Sequence, residues 1–217
     1  MNLLPPAERT FSRRDLVAAA LLSAVMCSVF WVFSSGASLW VTFVPGALIT
    51  LGLVVVLYWT RAPLPAPGRA LPVYAVALGW QFLHFAEEFQ TGFWRDFPAL
   101  YGGAPYAPEV FVWFNMASYA LFGVATYGVV VHGRRALLLP SLFFVIYGTL
   151  GNAITHLVWT VMTGGYFPGL VTACGYLVIG PILLRRMWSG STWRQVAAVV
   201  LVLVVVLVPL LVMLAGP

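Results

Sequence analysis

Apolar residues run along this chain in seven blocks of membrane-spanning length, and turn-forming residues separate them. The blocks lie at roughly 15–35, 38–60, 70–92, 109–131, 136–162, 167–184 and 194–215. Each is near the ~20 residues that a helix needs to cross a hydrocarbon core. Ser34-Ser35-Gly36 divides the first two blocks. The linker Arg61-Ala62-Pro63-Leu64-Pro65-Ala66-Pro67-Gly68-Arg69 ends the second, because alternating prolines cannot continue a helix. Gly133-Arg134-Arg135 and Gly164-Gly165 bracket the fifth. The pattern predicts an all-α, polytopic transmembrane helix bundle of about seven spans. It forms one transmembrane domain over 1–217, with a polar-bearing core at 70–184.

Composition agrees, with 62% hydrophobic and 8% charged residues, where a soluble domain carries about a quarter charged. Cys27 and Cys174 both lie in apolar runs and are expected as small core residues. All eleven basic residues are arginine. Arg9, Arg13, Arg14, Arg61, Arg69, Arg134, Arg135, Arg185, Arg186 and Arg194 fall on alternate connections, and only Arg95 on the opposite set. The positive-inside rule then puts the N-terminus in the cytoplasm, in an integral, multi-pass protein of a plasma membrane. Topology thereby accounts for the net charge of +5 and removes the case for nucleic-acid binding. The arginines, apolar run and Ser35-Gly36-Ala37 at the start also resemble a signal peptide. The run is longer than a usual signal core, which favours a retained first helix.

Against this background the charges inside Gln81-Phe82-Leu83-His84-Phe85-Ala86-Glu87-Glu88-Phe89 stand out. An ionisable group at membrane depth costs roughly 2.5–3.5 kcal/mol on insertion scales. At about 100° per residue, His84, Glu87 and Glu88 fall near 0°, −60° and +40°, on one helix face. In the fifth span, Asn152 and His156 stack four residues apart. The fourth brings Asn115, Ser118 and Tyr119 to a similar depth. Three helices thus carry polar groups to one layer in the outer half of the membrane, where isolated ones would be costly. Structural uses stand beside the chemical one: a solvated glutamate, packed neutral histidines, and amide glue between helices, above all at Asn115. His132 is expected at the cytoplasmic interface. Trp94, Trp113 and Trp159 suit interfacial anchoring as well as a substrate-lined cavity.

His84-Phe85-Ala86-Glu87-Glu88, Asn152-Ala153-Ile154-Thr155-His156 and Tyr166-Phe167-Pro168-Gly169 resemble, in order, the HxxEE, NxxxH and YxPG motifs of the HXXEE membrane-protein family. The resemblance covers residues 84–169 and implies a shared site without naming a reaction.

Two imidazoles with one or two carboxylates suit zinc or iron. His84, Glu87, Glu88 and His156 are the expected ligands, with Asn152 and Asn115 in support. A spare glutamate would serve as general base on metal-bound water. Tyr166 is expected to aim from a tight turn, with Pro168 in the first turn of the sixth helix, toward this cluster. The leading expectation is a metal-dependent intramembrane enzyme, hydrolase or oxidoreductase, acting on a lipid-like small molecule. A second is a metal-free acid–base isomerase or cyclase of isoprenoid or sterol-like substrates; His84 with Glu88 distantly resembles the His-x-x-x-Glu helix of emopamil-binding-type sterol isomerases. A third is a proton-coupled transporter or sensor, although no repeat symmetry is visible. Oligomeric state is not readable from the sequence.

Overall fold

The computed structural model describes residues 11–216; Arg9 lies outside them. Its elements are α1 (Arg13–Val32), α2 (Ser38–Trp59), α3 (Pro67–Thr91), α4 (Phe93–Ala99), α5 (Pro108–Val130), a 3₁₀ turn (Arg135–Leu137), α6 (Leu138–Phe143), a π-helical stretch (Phe144–Gly151), α7 (Asn152–Thr163), α8 (Leu170–Met187) and α9 (Trp193–Leu214). No strand occurs among the described residues.

Local chemistry sets the helix ends. Ser12 with Asp15 and Thr192 with Gln195 form capping boxes for α1 and α9. Pro67 and Pro108 start α3 and α5, where a missing N–H costs nothing. Among the described residues six rods are long and apolar enough to cross a membrane: α1, α2, α5, the continuous rod Arg135–Thr163, α8 and α9. At 25 residues, or about 37 Å, α3 is long enough but less apolar, because it carries Gln81, His84, Glu87 and Glu88. It packs against α8 and α5 as the seventh rod.

Long-range contacts define the two ends. At one, Arg135 of the 3₁₀ turn lies 4.0 Å from Asp15 of α1, and Ser189 donates to the Leu64 carbonyl at 3.3 Å. The arginine-rich connections gather here. At the other end, Tyr106 hydrogen-bonds Ser35 and Ser38, and Gly216 donates to the Leu100 carbonyl. The short α4, absent from the sequence expectation, folds back into this end as an aromatic plug. It buries Phe93 and Phe97 against Trp159 at ring distances of 5.6 and 5.1 Å.

The positive-inside orientation predicts that a cysteine at the exposed Ala107 reacts with an impermeant maleimide added to intact cells, and that one at exposed Arg134 does not. The reverse labelling would invert the orientation.

Candidate functional site

The buried stripe of α3 is Tyr74, Ala77, Gln81, His84 and Glu88, the three-to-four spacing of one helix face. Glu87, one residue back, turns about 100° away toward α8. This step divides the glutamate pair.

Glu87 accepts from the Tyr166 hydroxyl at 2.7 Å, from the Val171 and Thr172 backbone N–H groups at 3.0 and 2.8 Å, and from the Thr172 hydroxyl at 2.5 Å. Val171 and Thr172 are the second and third residues of α8, whose opening N–H groups have no partner inside the helix. Glu87 therefore caps α8 from a neighbouring helix, an anion at the positive end of the helix dipole. Four donors around two oxygens identify an ionised, acceptor-only carboxylate. This corrects the expectation that Glu87 joins the histidines. It also assigns Tyr166, which is 52% exposed, to Glu87 rather than to the buried group.

Glu88 turns inward. Its Oε1 lies 3.3 Å from His84 Nε2 and 3.3 Å from His156 Nε2, and the two rings stand 4.8 Å apart at 84°. His84 and His156 are 0% exposed and Glu88 6%. Ligand-capable atoms of the three residues all fall within 4.8 Å of one another, so this group could hold a metal ion.

Hydrogen accounting sharpens the picture. Thr172 has one hydroxyl proton and spends it on Glu87, so it can only accept from His84 Nδ1, 2.8 Å away. His84 therefore carries a proton on Nδ1, and as a neutral ring it points its Nε2 lone pair at the Glu88 carboxylate. Neither Nε2, nor His156 Nδ1, has a hydrogen-bond partner. Buried polar groups of this kind call for an explanation. Two lone pairs facing each other repel, and either a proton or a metal ion between them would relieve the repulsion. For bonds of ~2.0–2.1 Å around a tetrahedral ion, adjacent ligand atoms sit about 3.3–3.4 Å apart. The two 3.3 Å spacings to Glu88 match that edge and exceed the usual ~2.8 Å of a charge-assisted hydrogen bond, while the edge between the two histidines is bounded only at 4.8 Å.

The motif turn closes over this group. Gly164 ends α7 at φ +69°, and Gly169 precedes α8 at φ +90°. Pro168 thus lies before the helix and not in its first turn, as had been expected, because Gly169 adopts the left-handed conformation between them. A Cβ on Gly169 would meet His156 Cε1 at 2.5 Å and Glu88 Cγ at 2.9 Å. Only glycine allows this backbone to lie against the site. Phe93 and Trp159 wall the His156 ring at 5.3 and 5.0 Å, so Trp159 belongs to the site and not to an interfacial belt. Trp113 is 73% exposed, as an interfacial anchor would be.

Asn152 does not reach the histidines; its amide donates to the Gly148 carbonyl at 3.2 Å. Asn115 bonds within α5, donating to the Phe111 carbonyl and accepting from Tyr119, so it is not glue between helices. Cys174 is exposed and Cys27 half-buried, against the core expectation, and His132 is exposed just beyond α5. A polar chain that the sequence did not disclose runs across the bundle: Tyr176 donates to Gln81 at 2.5 Å, Gln81 to Tyr119 at 2.9 Å, and Tyr119 to Asn115 at 2.9 Å. Gln81 was recognisable as one turn from His84. Tyr176 and Thr172 depend on the pairing of α3 with α8, which no local pattern announces.

Beside the group lies a cavity of about 310 Å³, to whose wall Glu88, Gln81, Asn115 and Asn152 contribute. No family model matches this chain, and no curated protein or solved structure matches it either.

Proposed function

We propose that this integral membrane protein is an enzyme that uses a divalent metal, zinc or iron, on a lipid-like substrate in the outer half of a plasma membrane. The observation that carries the reading is the buried His84 Nε2 without a hydrogen-bond partner, 3.3 Å from an oxygen of Glu88 that His156 shares at the same distance. His84, Glu88 and His156 would hold the ion, and three protein ligands leave a position open, as catalytic sites do. A metal there would polarise a substrate oxygen or activate a water. The chain's own residues prepare the site. Glu87, through Thr172, fixes the His84 tautomer, and Gly169, Phe93 and Trp159 exclude water around His156. The general-base role expected for a second glutamate falls away, since the oxygens of Glu87 serve α8. In this reading the chain belongs with the HXXEE proteins. In support, residues of all three resembled motifs meet here: Glu87 with Tyr166, and Glu88 with His156 and Gly169.

Elemental analysis of purified protein reconstituted with zinc or ferrous iron tests the proposal. We expect about one ion per chain in the wild type and almost none in His156→Ala. Thr172→Val should weaken retention by about 10–100-fold, the usual effect of removing a partner behind a ligand. A wild type with no stoichiometric metal would refute the reading. It would favour a proton shared between His84 and Glu88, and with it acid–base isomerisation of an isoprenoid or sterol-like substrate.

A further inference from the structure

The cavity runs from Glu88 to the flank of the bundle. One wall is α1, through Leu22, Val25, Met26 and Val29, and the facing wall is α5, through Phe114, Ser118 and Leu121. Although both helices pack on the 3₁₀ turn and α6, they scarcely touch each other. Leu137 and Pro140 close the arginine-rich end of the gap. Toward the other end Phe114 bridges to Phe30 of α1 and to Phe33, which caps it, at ring distances of 6.5 and 6.1 Å. Between floor and bridge, Val25, Val29 and Leu121 are 59, 38 and 48% exposed although they line the cavity. The wall is therefore open sideways, along helices that face hydrocarbon.

The lining also limits the ligand. Aromatic rings dominate it, and among the described residues Glu88 is the only charged one in the lining, which holds neither arginine nor histidine. A divalent ion paired with Glu88 would keep about one positive charge, whereas a phosphate monoester brings about −1.5 to −2. With no arginine among the described lining residues to share that charge, a phosphate here would be buried and underpaired. At about 310 Å³ the space is at the small end of ligand pockets, which run from about 300 to 1,000 Å³.

We infer that the substrate is an uncharged lipid with one small polar group, a hydroxyl or carbonyl, that slides in from the bilayer between α1 and α5. Its polar group reaches Glu88 while its hydrocarbon lies among the aromatic rings. The inference rests on the enzyme reading above for what happens at Glu88 and for the charge an ion would leave there, but the route stands on the cavity alone.

The test uses two photoreactive probes in phosphatidylcholine liposomes containing the full chain: a diazirine-bearing long-chain alcohol, and the same chain as its phosphate ester. Adducts are mapped by mass spectrometry. We expect the alcohol to label α1 and α5 at cavity-lining residues several-fold more than the phosphate. Val25→Trp and Leu121→Trp, both at exposed positions that tolerate bulk, should each reduce that labelling several-fold. His84→Ala should retain it, so loss of the metal site is read separately from loss of ligand binding. Equal labelling by the phosphate would overturn the uncharged class. Absence of cavity adducts, or indifference to both tryptophans, would overturn the route.

Discussion

Alanine at Glu87 is expected to destabilise the protein by about 2–4 kcal/mol, whereas glutamine at Glu88 should leave the fold standing and remove the metal. Glu87→Ala strips α8 of its cap, typically worth 0.5–2 kcal/mol. It also removes charge-assisted bonds to Tyr166 and Thr172, each worth about 1.5–3 kcal/mol before non-additivity. The Thr172 proton, released from Glu87, becomes free to turn toward His84 Nδ1. His84 would then shift its own proton to Nε2 and stop serving as a ligand. Glu88→Gln keeps the shape of the side chain, and its contacts with α3 and α7 remain. Thermal denaturation in detergent, read beside metal content, separates the two: Glu87→Ala lowers the midpoint and the metal together, and Glu88→Gln lowers the metal alone. Equal midpoints for Glu87→Ala and wild type would dismiss the capping role.

A second large effect is expected at Gly169, and Gly164 supplies its control. Both adopt left-handed backbone, at φ +90° and +69°, which costs an alanine about 1–2 kcal/mol. Around Gly164 a Cβ would meet nothing within 4 Å, so Gly164→Ala should show that backbone cost and little else. At Gly169 the new methyl would collide with His156 and Glu88, and His156 cannot retreat between Phe93 and Trp159. Gly169→Ala should therefore lose stability beyond the control and lose metal as well. Metal analysis and thermal midpoints of both variants, measured together, check this. Full metal retention in Gly169→Ala would show that the turn does not hold the site's shape.

The spans were legible because membrane solvent permits few alternatives: every backbone group must be bonded internally, so a long apolar run bounded by Gly, Pro or Arg is a helix. The convergence of His84, Glu88 and His156 was legible for a related reason, since polar groups at matched depth must find one another. Three features stayed hidden. The division of Glu87 from Glu88 depends on which neighbour stands on each side of α3, and a helical wheel does not say. The helix α4 is too short and too mixed in its residues for periodicity to reveal. The π stretch Phe144–Gly151 leaves its i+4 bonding pattern without a residue that compels it. Its wider turns rotate α7 relative to an unbroken α-helix, and that rotation decides which way His156 faces. Asn152 takes the Gly148 carbonyl, a side chain bonding backbone where helix pairing is irregular.

The rod from Arg135 to Thr163 is 78% buried over its most apolar window, against 17–44% for the other five apolar rods. It is the mast around which the rest are arranged, and lipid scarcely touches it. Such a segment leaves the ribosome before α8 and α9, two of its neighbours in the finished protein, have been made. During synthesis Thr149, Thr155 and His156, all fully buried in the end state, at first lack the cover that α8 and α9 later bring to their rod. The order of manufacture thus runs against the order of burial. The later-made α8 and α9 complete the shelter of the site, and chains interrupted ahead of them leave that side of the rod uncovered.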